Sequence, residues 1–230
     1  DEPFLMAKKL TQIPVVVDED RFRGGTFLMQ QFNPDIILLD DGFQHRGLER
    51  DLDLILVNSG DKSFNHKLLP YGLLREPWMN INRGDAVILT KTNLKKPKPF
   101  LIRKIKESGL PILLSTSHAS ISTLSPENPS SFENKKVFIV SAIGDSSGFN
   151  QTVINFGCII SGEKVFSDHY HYTQSDWINV EALSADADYI LTTEKDWVKI
   201  EYFSFTKPVI VVGIEIIIQP KEKLKKLALR

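Results

Sequence analysis

The fold is decided by residues 36–46, which read IILLDDGFQHR. An apolar run of four residues stops abruptly at Asp40 and Asp41, and Gly42 then permits a turn. A short apolar run bounded by turn residues is typical of a buried strand in a parallel sheet, both faces of which are covered by helices. We therefore predict a strand at residues 35–39 that presents the two carboxylates at its carboxyl end.

The same pattern recurs along the chain, because short β-branched runs alternate with amphipathic or polar stretches. This alternation predicts an α/β fold with a largely parallel sheet. The predicted strands are residues 14–17, 35–39, 52–57, 86–90, 111–114, 136–141, 157–161, 189–192 and 208–218. The predicted helices are residues 2–10, 24–32, 99–108, 148–156, 174–183 and 221–229. The last of these is predicted to be a docked amphipathic helix, with a membrane-surface role as the less favoured alternative.

A domain boundary is predicted at residues 115–135, where Ser, Thr, Asn and Pro dominate and large aliphatic residues are few. The boundary divides the chain into residues 1–114, a linker at 115–135, a second α/β series at 136–207, and a final strand and helix at 208–230.

Composition excludes several classes of protein. Among 230 residues, 28 Lys and Arg stand against 29 Asp and Glu, so the basic footprint of a nucleic-acid-binding protein is absent. Cys158 is the single cysteine and cannot form an intrachain disulfide, which favours a reducing compartment. No apolar run approaches the roughly 18 residues that span a bilayer. Because the first residue is Asp1 and not Met, the chain is expected to be a fragment or a processed product.

The two aspartates at the predicted strand end suggest metal or phosphate chemistry. Adjacent carboxylates disfavour each other's ionisation unless a cation lies between them, and Mg²⁺ is the hard cation that such oxygen ligands serve. Open α/β sheets also bind ligands at the carboxyl ends of their strands. The alternative is a turn-capping aspartate beside a solvated neighbour.

A second polar cluster is FSDHYHY at residues 166–172, in which Asp168 precedes His169 and His171 follows. A histidine that accepts a proton near neutral pH is suited to general-base work on a hydroxyl. An ordinary polar loop explains the segment equally well, and a zinc site lacks further ligands at a recognisable spacing.

Two further segments are less specific. In LLREPW, Arg75 could bind a phosphate in a bidentate manner, or it could form an exposed salt bridge. In LTTEKDWVK, Thr193 is predicted to cap a helix whose first turn contains Glu194, Lys195 and Asp196, which is mainly a structural role.

An ATP-dependent phosphotransferase normally carries a GxxxxGK[ST] loop that holds the nucleotide phosphates. These residues contain no Gly-Lys pair, and Gly24 and Gly25 are the only adjacent glycines. Either the protein is not such a kinase, or the phosphate-binding loop is expected to precede Asp1.

Several motifs occur together in one order: DEPFLMAKK, VVVDEDRFRGG, ILLDDGFQHRGLERDLDLILVN, LLPYGLLREP, RGDAVILTK, FSDHYHYTQSD and LTTEKDWVK. In this combination the chain resembles the C-terminal two thirds of the tetraacyldisaccharide 4'-kinase family. The resemblance implies transfer of the ATP γ-phosphoryl group to the 4'-hydroxyl of a tetraacylated disaccharide 1-phosphate, the lipid A precursor. It further implies Mg²⁺ as a cofactor and a peripheral location at the cytoplasmic face of the bacterial inner membrane.

The resemblance also implies an architecture. Residues 1–114 would be the remainder of a P-loop kinase core, with residues 136–207 as a smaller α/β domain. A hinge at 115–135 and the returning strand within 208–230 would join them. Because the family's P-loop is absent from these residues, the chain alone is expected to be inactive.

Roles for individual residues come from the same resemblance. Asp1 and His169 would form the catalytic pair, and they are expected to lie on different domains that close over the substrate. Asp40 and Asp41 would hold Mg²⁺. The substrate or phosphate region would be lined by Arg21, Gln44, His45, Arg75, Glu76 and Asp168.

Two alternatives remain at this point. A non-catalytic α/β binding module would use the acidic pair only to cap a turn and would need no Mg²⁺. A metal-dependent phosphohydrolase would also place carboxylates at strand ends and would need no P-loop.

Overall fold

A computed structural model describes residues 2–144 and 146–229 of the chain and confirms the predicted α/β class. The described helices are α1 (Glu2–Lys9), α2 (Arg21–Phe32), α3 (Pro99–Glu107), α4 (Ser146–Ile154), α5 (Gln174–Leu183), α6 (Glu194–Ile200) and α7 (Lys221–Ala228). The described strands are β1 (Leu54–Asn58), β2 (Ala86–Thr90), β3 (Ile112–Ile121), β4 (Lys136–Ser141), β5 (Ile159–Val165), β6 (Tyr189–Thr193) and β7 (Val209–Gln219).

The chain divides into two compact units. The first unit comprises the described residues up to Val17 together with Ala119–Ile214. The second comprises Asp18–His118 and the described residues from Glu215 onward. The chain passes between the units three times: once between α1 and α2, at Val17 and Asp18, and once each within strands β3 and β7.

In the first unit the strand order is β3-β7-β6-β4-β5, and β4 pairs in parallel with both β5 and β6. Both faces of this sheet are buried. One face packs Trp177 of α5 and Trp197 of α6 over Val140 of β4. The other packs Phe149 and Val153 of α4. Burial on both faces explains why VFIVS in β4 is a nearly continuous apolar run, as expected of a parallel strand.

In the second unit β1, β2 and β3 form consecutive parallel pairs, with β7 beside β3. Helix α3 buries Leu101 and Ile105 on one face of β2. Helix α7 buries Leu227 against the other face, so the prediction that the C-terminal basic segment is a docked amphipathic helix is confirmed.

Two of the predicted strands are not paired in a sheet. Residues 14–17 and 35–39 belong to none of the described helices or strands. Their apolar side chains remain accessible, with Val17 73% exposed and Leu38 91% exposed. A strand needs a neighbour for its backbone hydrogen bonds, and the described residues offer none at these positions.

The structure also divides the chain differently from the boundaries predicted by sequence. Residues 115–121 of the expected linker belong to β3, and only residues 122–135 form a connecting loop. The sequence did not indicate this strand because its second half is polar. Ser115 and Ser117 are nevertheless buried in β3, where they alternate with more accessible residues. Residues 2–17, expected to belong with the N-terminal core, fall in the same unit as the second α/β series.

Helices α5 and α6 start with the same local motif, a threonine cap followed three residues later by an aspartate. At α5, the Thr173 side chain accepts a hydrogen bond from the Asp176 amide, and the partly exposed Asp176 carboxylate accepts one from the Thr173 amide. At α6, Thr193 caps as the sequence predicted. Here Asp196 is completely buried and accepts hydrogen bonds from the Ala142 amide at 3.0 Å and from Thr193 Oγ1 at 2.8 Å.

This difference in burial predicts different stabilities for two matched variants. Asp196→Ala should lower the free energy of unfolding by about 3 kcal/mol, because it leaves a buried amide and a hydroxyl without an acceptor. Asp176→Ala removes a similar cap in contact with water and should cost about 1 kcal/mol. Urea denaturation followed by circular dichroism measures both values, and equal losses would show that burial of Asp196 is unimportant.

Candidate active site

The FSDHYHY segment forms a loop after β5 that is fixed to the first unit by its aromatic residues. The Phe166 amide donates to the Ser141 carbonyl at 2.8 Å. The rings of Phe166, Tyr170 and Tyr172 lie with centroids 4.6 to 5.4 Å apart, and Tyr172 is buried. Burial, with Asp196 nearby, raises the pKa of the Tyr172 hydroxyl far above its ordinary value. The aromatic side chains thus form a rigid base for the polar residues between them.

Asp168 and His169 lie at the exposed turn of this loop. The His169 amide donates to Asp168 Oδ1 at 3.0 Å, and His169 Nε2 lies 3.9 Å from Asp168 Oδ2. His169 has φ 59°, a left-handed conformation that is uncommon for a residue with a side chain. Its side chain is 62% exposed, so the imidazole can reach a ligand from solvent.

Lys195, in the first turn of α6, joins this loop to the start of the chain. Its Nζ lies 3.5 Å from Asp168 Oδ1 and 3.3 Å from Glu2 Oε1, while its own side chain is only 18% exposed. Desolvation acts to raise the pKa of Asp168, but the charges of Lys195 and His169 outweigh it and hold that pKa below its ordinary value. Asp168 is therefore a carboxylate at neutral pH.

Helix α1 is attached to α6 mainly by charge. None of its residues is buried, whereas Lys8 pairs with Glu201 and Lys9 Nζ lies 2.7 Å from Glu194 Oε1. Together with the pair between Glu2 and Lys195, three ion pairs link the two helices. Asp1, predicted to be catalytic, lies outside the described residues.

Placement of α1 differs from the sequence expectation. The catalytic pair was expected to come from two different domains. The structure groups α1, directly after Asp1, in the same unit as the loop of His169. The ion pairs with α6 are the physical reason, and charge pairs between residues almost 200 positions apart cannot be inferred from local sequence patterns.

In the second unit, Glu76 is the centre of another charge cluster. Its carboxylate accepts from Arg83 at 2.7 Å, from Asn80 at 2.7 Å and from Arg46 at 3.2 Å, and its side chain is 20% exposed. Desolvation acts to raise the pKa of Glu76, but these donors outweigh it and lower that pKa. Because the carboxylate is occupied by protein donors, its observed role is to join residue 46 to residues 80–83.

Further contacts join the DDGFQHR and LLREP motifs. The Arg83 guanidinium lies over the Phe43 ring, 4.6 Å from its centroid. Arg75 Nη1 approaches Gln44 Oε1 at 3.4 Å. His45 is exposed, and its carbonyl accepts from Arg50 at 2.6 Å. The structure therefore brings together four of the residues selected from sequence: Gln44, His45, Arg75 and Glu76.

Asp40 and Asp41 precede this cluster and are both exposed. Asp41 has φ 51° and begins a short 3-10 helix without a side-chain cap hydrogen bond. Among the described residues, neither carboxylate is occupied by a protein donor, and no group of three ligating side chains is found. A Cβ at Gly42 would lie 2.5 Å from Leu39 Cδ2, so a larger residue at this turn would require the Leu39 side chain to move.

Arg21 is placed apart from these contacts. It begins α2, where Asp20 caps the helix, and its guanidinium donates to the Asp18 carbonyl. Gly24 and Gly25 lie inside this helix and so do not form a phosphate-binding loop.

No site role was assigned from the sequence to the three cations that organise both clusters, Lys195, Arg46 and Arg83. Each of these residues lies in or beside a motif identified from the sequence, and this position was the signal that could have found them. In the described part of the chain, no helix is long and apolar enough to span a bilayer.

Known proteins resemble this chain along its whole length. The sequence pattern of the tetraacyldisaccharide-1-P 4'-kinase family (LpxK) matches residues 1–230. The tetraacyldisaccharide 4'-kinase of Aquifex aeolicus is 34% identical over 100% of this chain and 68% of its own length. The Bdellovibrio bacteriovorus enzyme of the same name is 33% identical over 84% of this chain and 59% of its own length. For the Chlorobaculum parvum enzyme the values are 36%, 76% and 50%.

A solved structure also shares this fold. A crystal structure described as the "apo" form of LpxK from Aquifex aeolicus in complex with ATP superposes with a TM-score of 0.76 at 32% identity. The match covers 100% of this chain and 68% of that one. The chain thus spans between half and about two thirds of the length of these relatives. It belongs to the tetraacyldisaccharide-1-P 4'-kinase family.

Proposed function

We propose that the protein carrying this chain transfers the γ-phosphoryl group of ATP to the 4'-hydroxyl of a tetraacylated glucosamine disaccharide 1-phosphate, a step of lipid A biosynthesis. Family membership supports the reaction class. The observation that carries the proposal is the convergence of Glu2 and Asp168 on Lys195. These acids are the immediate sequence neighbours of Asp1 and His169, the proposed catalytic pair.

His169 is the proposed proton acceptor. Phosphoryl transfer depends mainly on positioning and on electrostatic stabilisation, with a base to accept the proton of the attacking hydroxyl. The exposed imidazole can approach such a hydroxyl, and the Asp168 carboxylate 3.9 Å away stabilises the positive charge that the imidazole acquires. Asp1 is proposed as its catalytic partner.

Asp40 and Asp41 are proposed to bind Mg²⁺, and the donors fit this ion. Mg²⁺ usually keeps several waters and is held through one or two carboxylates plus substrate phosphates, so a third protein ligand is not required. Their carboxylates are exposed and unoccupied by donors among the described residues. When bound, Mg²⁺ would neutralise negative charge on the nucleotide phosphates.

The substrate region is proposed to include Gln44, His45 and Arg75, with Arg21 as a further phosphate contact. Arg75 has exposed donors close to Gln44, a geometry suited to a sugar phosphate. Glu76 is proposed to act indirectly, because its two arginine partners hold the DDGFQHR segment beside Arg75. The protein is further proposed to act peripherally at the cytoplasmic face of the inner membrane, where an acylated substrate resides.

If His169 is the proton acceptor, its substitution should lower the rate strongly, whereas substitution of the neighbouring His171 should not. In the gene product carrying this chain, His169→Gln should lower kcat at least about 100-fold with little change in KM, because proton acceptance is lost but the surface is kept. His171→Gln is the matched control, since His171 is also exposed, and it should leave kcat within twofold.

The measurement is transfer of label from γ-labelled ATP to the detergent-solubilised lipid, resolved by thin-layer chromatography. Equal effects of the two substitutions, or a raised KM with kcat intact for His169→Gln, would contradict the assignment.

The role of Glu76 predicts a pH-dependent stability difference. Its pKa in the folded state lies below the ordinary value of 4.5, so the ionised group stabilises the fold above that pH. This contribution is lost as the pH falls through the folded-state pKa. Glu76→Gln should therefore lower Tm at pH 7, and the difference from the parent protein should be smaller at pH 3 than at pH 7.

Glu107→Gln provides the control, because Glu107 is exposed at the end of α3. Thermal unfolding at the two pH values tests the prediction. A Tm difference for Glu76→Gln that is the same at both would show that charge is not what Glu76 contributes.

A further inference from the structure

An exposed apolar loop lies between β1 and the LLREP motif. Residues 68–74, LLPYGLL, are defined here as the LLPYGLL loop. Its side chains point outward, with Tyr71 83% exposed, Leu73 66% and Leu69 58%. Phe64, just before the loop, is 52% exposed. A contiguous group of exposed apolar side chains usually marks a surface for a protein or a membrane.

Several backbone amides of this loop donate hydrogen bonds to carbonyls within the loop or just before it. The Leu69 amide donates to the Leu74 carbonyl at 2.9 Å, and the Leu74 amide donates to Lys67 at 3.0 Å. The Tyr71 and Leu73 amides donate to Leu68 and Asn65 at 2.9 and 3.1 Å. These bonds reduce the number of backbone amides that would lose a partner if the loop entered a nonpolar environment.

The loop is also held firmly at its base. Buried His66 packs against Trp78 in a tilted arrangement with ring centroids 4.5 Å apart, and its Nε2 lies 3.2 Å from Asp61 Oδ2. The chain closes tightly at Gly72, where a Cβ would lie 2.3 Å from the Phe64 carbonyl oxygen. The exposed apolar side chains are therefore displayed on a fixed scaffold, so little conformational entropy is lost on binding.

The charges beside this loop indicate the kind of surface that it would bind. Residues 62–75 contain three cations, Lys62, Lys67 and Arg75, and no acidic residue, although the whole chain has a net charge of −1. All three are exposed. Burial lowers the pKa of His66, which adds no charge at neutral pH. Apolar tips flanked by cations are complementary to a bilayer that carries anionic headgroups.

We propose that the LLPYGLL loop is a membrane-contact element, which places Leu69, Tyr71 and Leu73 among the lipids of an anionic bilayer. Lys62 and Lys67 lie at headgroup level and pair with lipid phosphates. The inference rests on the proposed function, because Arg75 directly follows the loop and is proposed to bind the sugar phosphate. The loop would thereby bring the phosphate-binding residue to the depth of an acylated substrate.

The test is vesicle co-sedimentation with the gene product carrying this chain. Vesicles contain phosphatidylethanolamine and phosphatidylglycerol at 3:1, and pure phosphatidylcholine vesicles serve as the uncharged comparison. The variant is Leu69→Asp with Tyr71→Asp. The matched control is Leu183→Asp with Tyr202→Asp in the first unit, where the same residue types are 59% and 74% exposed.

The loop variant should lose at least tenfold in partitioning to the anionic vesicles, while the control pair stays within twofold of the parent. The parent should also bind pure phosphatidylcholine at least threefold more weakly. Lys62→Ala with Lys67→Ala should remove most of that difference between vesicle types.

Equal vesicle binding by loop variant and parent would overturn the proposal. So would a fall in Tm of more than 5 °C for the loop variant, since it would show that the loop packs against protein instead. A change of oligomeric state on substitution would assign the loop to a second copy and likewise overturn it. Phosphorylation of detergent-solubilised substrate by the loop variant separates the two proposals: its retention leaves the catalytic assignment intact whatever the vesicles show.

Discussion

The proposed catalytic centre depends on one ammonium group. Lys195 lies between the carboxylates of Glu2 and Asp168, at 3.3 and 3.5 Å, with most of its side chain shielded from water. Partial shielding strengthens such pairs relative to fully exposed ones. Through this group, the helix at the beginning of the chain and the loop of His169 share a single anchor on α6. The aromatic base below the loop fixes one side of that arrangement, whereas charge alone fixes much of the other.

Because α1 is attached by charge pairs, its attachment depends on the salt concentration. No residue of α1 is buried, so its attachment has little hydrophobic contribution, and its three ion pairs weaken as salt screens them. The cluster at Glu76 follows the same principle in the second unit, where one carboxylate holds two arginines from separate motifs. Both clusters leave other groups exposed for ligands, namely His169 in the first unit and Arg75 in the second.

Most of the fold could be predicted from the sequence, because periodicity and capping are local properties. Thr193 indicated the start of α6, and the apolar run in β4 indicated a strand that is covered by helices on both faces. The predictions failed where the local sequence pattern did not match the availability of a neighbouring strand for pairing. Residues 35–39 have the composition of a strand but have no neighbouring strand in the described chain, and Ser115 and Ser117 lie in a strand that looks like a linker. The ion pairs of Lys195 could not be predicted, since they join residues 27 and 193 positions apart.

Hydrogen exchange measured by mass spectrometry tests the role of Lys195 most directly. Lys195→Met keeps the length of the side chain and removes its charge. The account predicts faster exchange both in α1 and at residues 166–171, with α3 unchanged as the internal reference. Unchanged exchange in α1 or in the His169 loop would show that Lys195 does not hold the two together and would contradict the account.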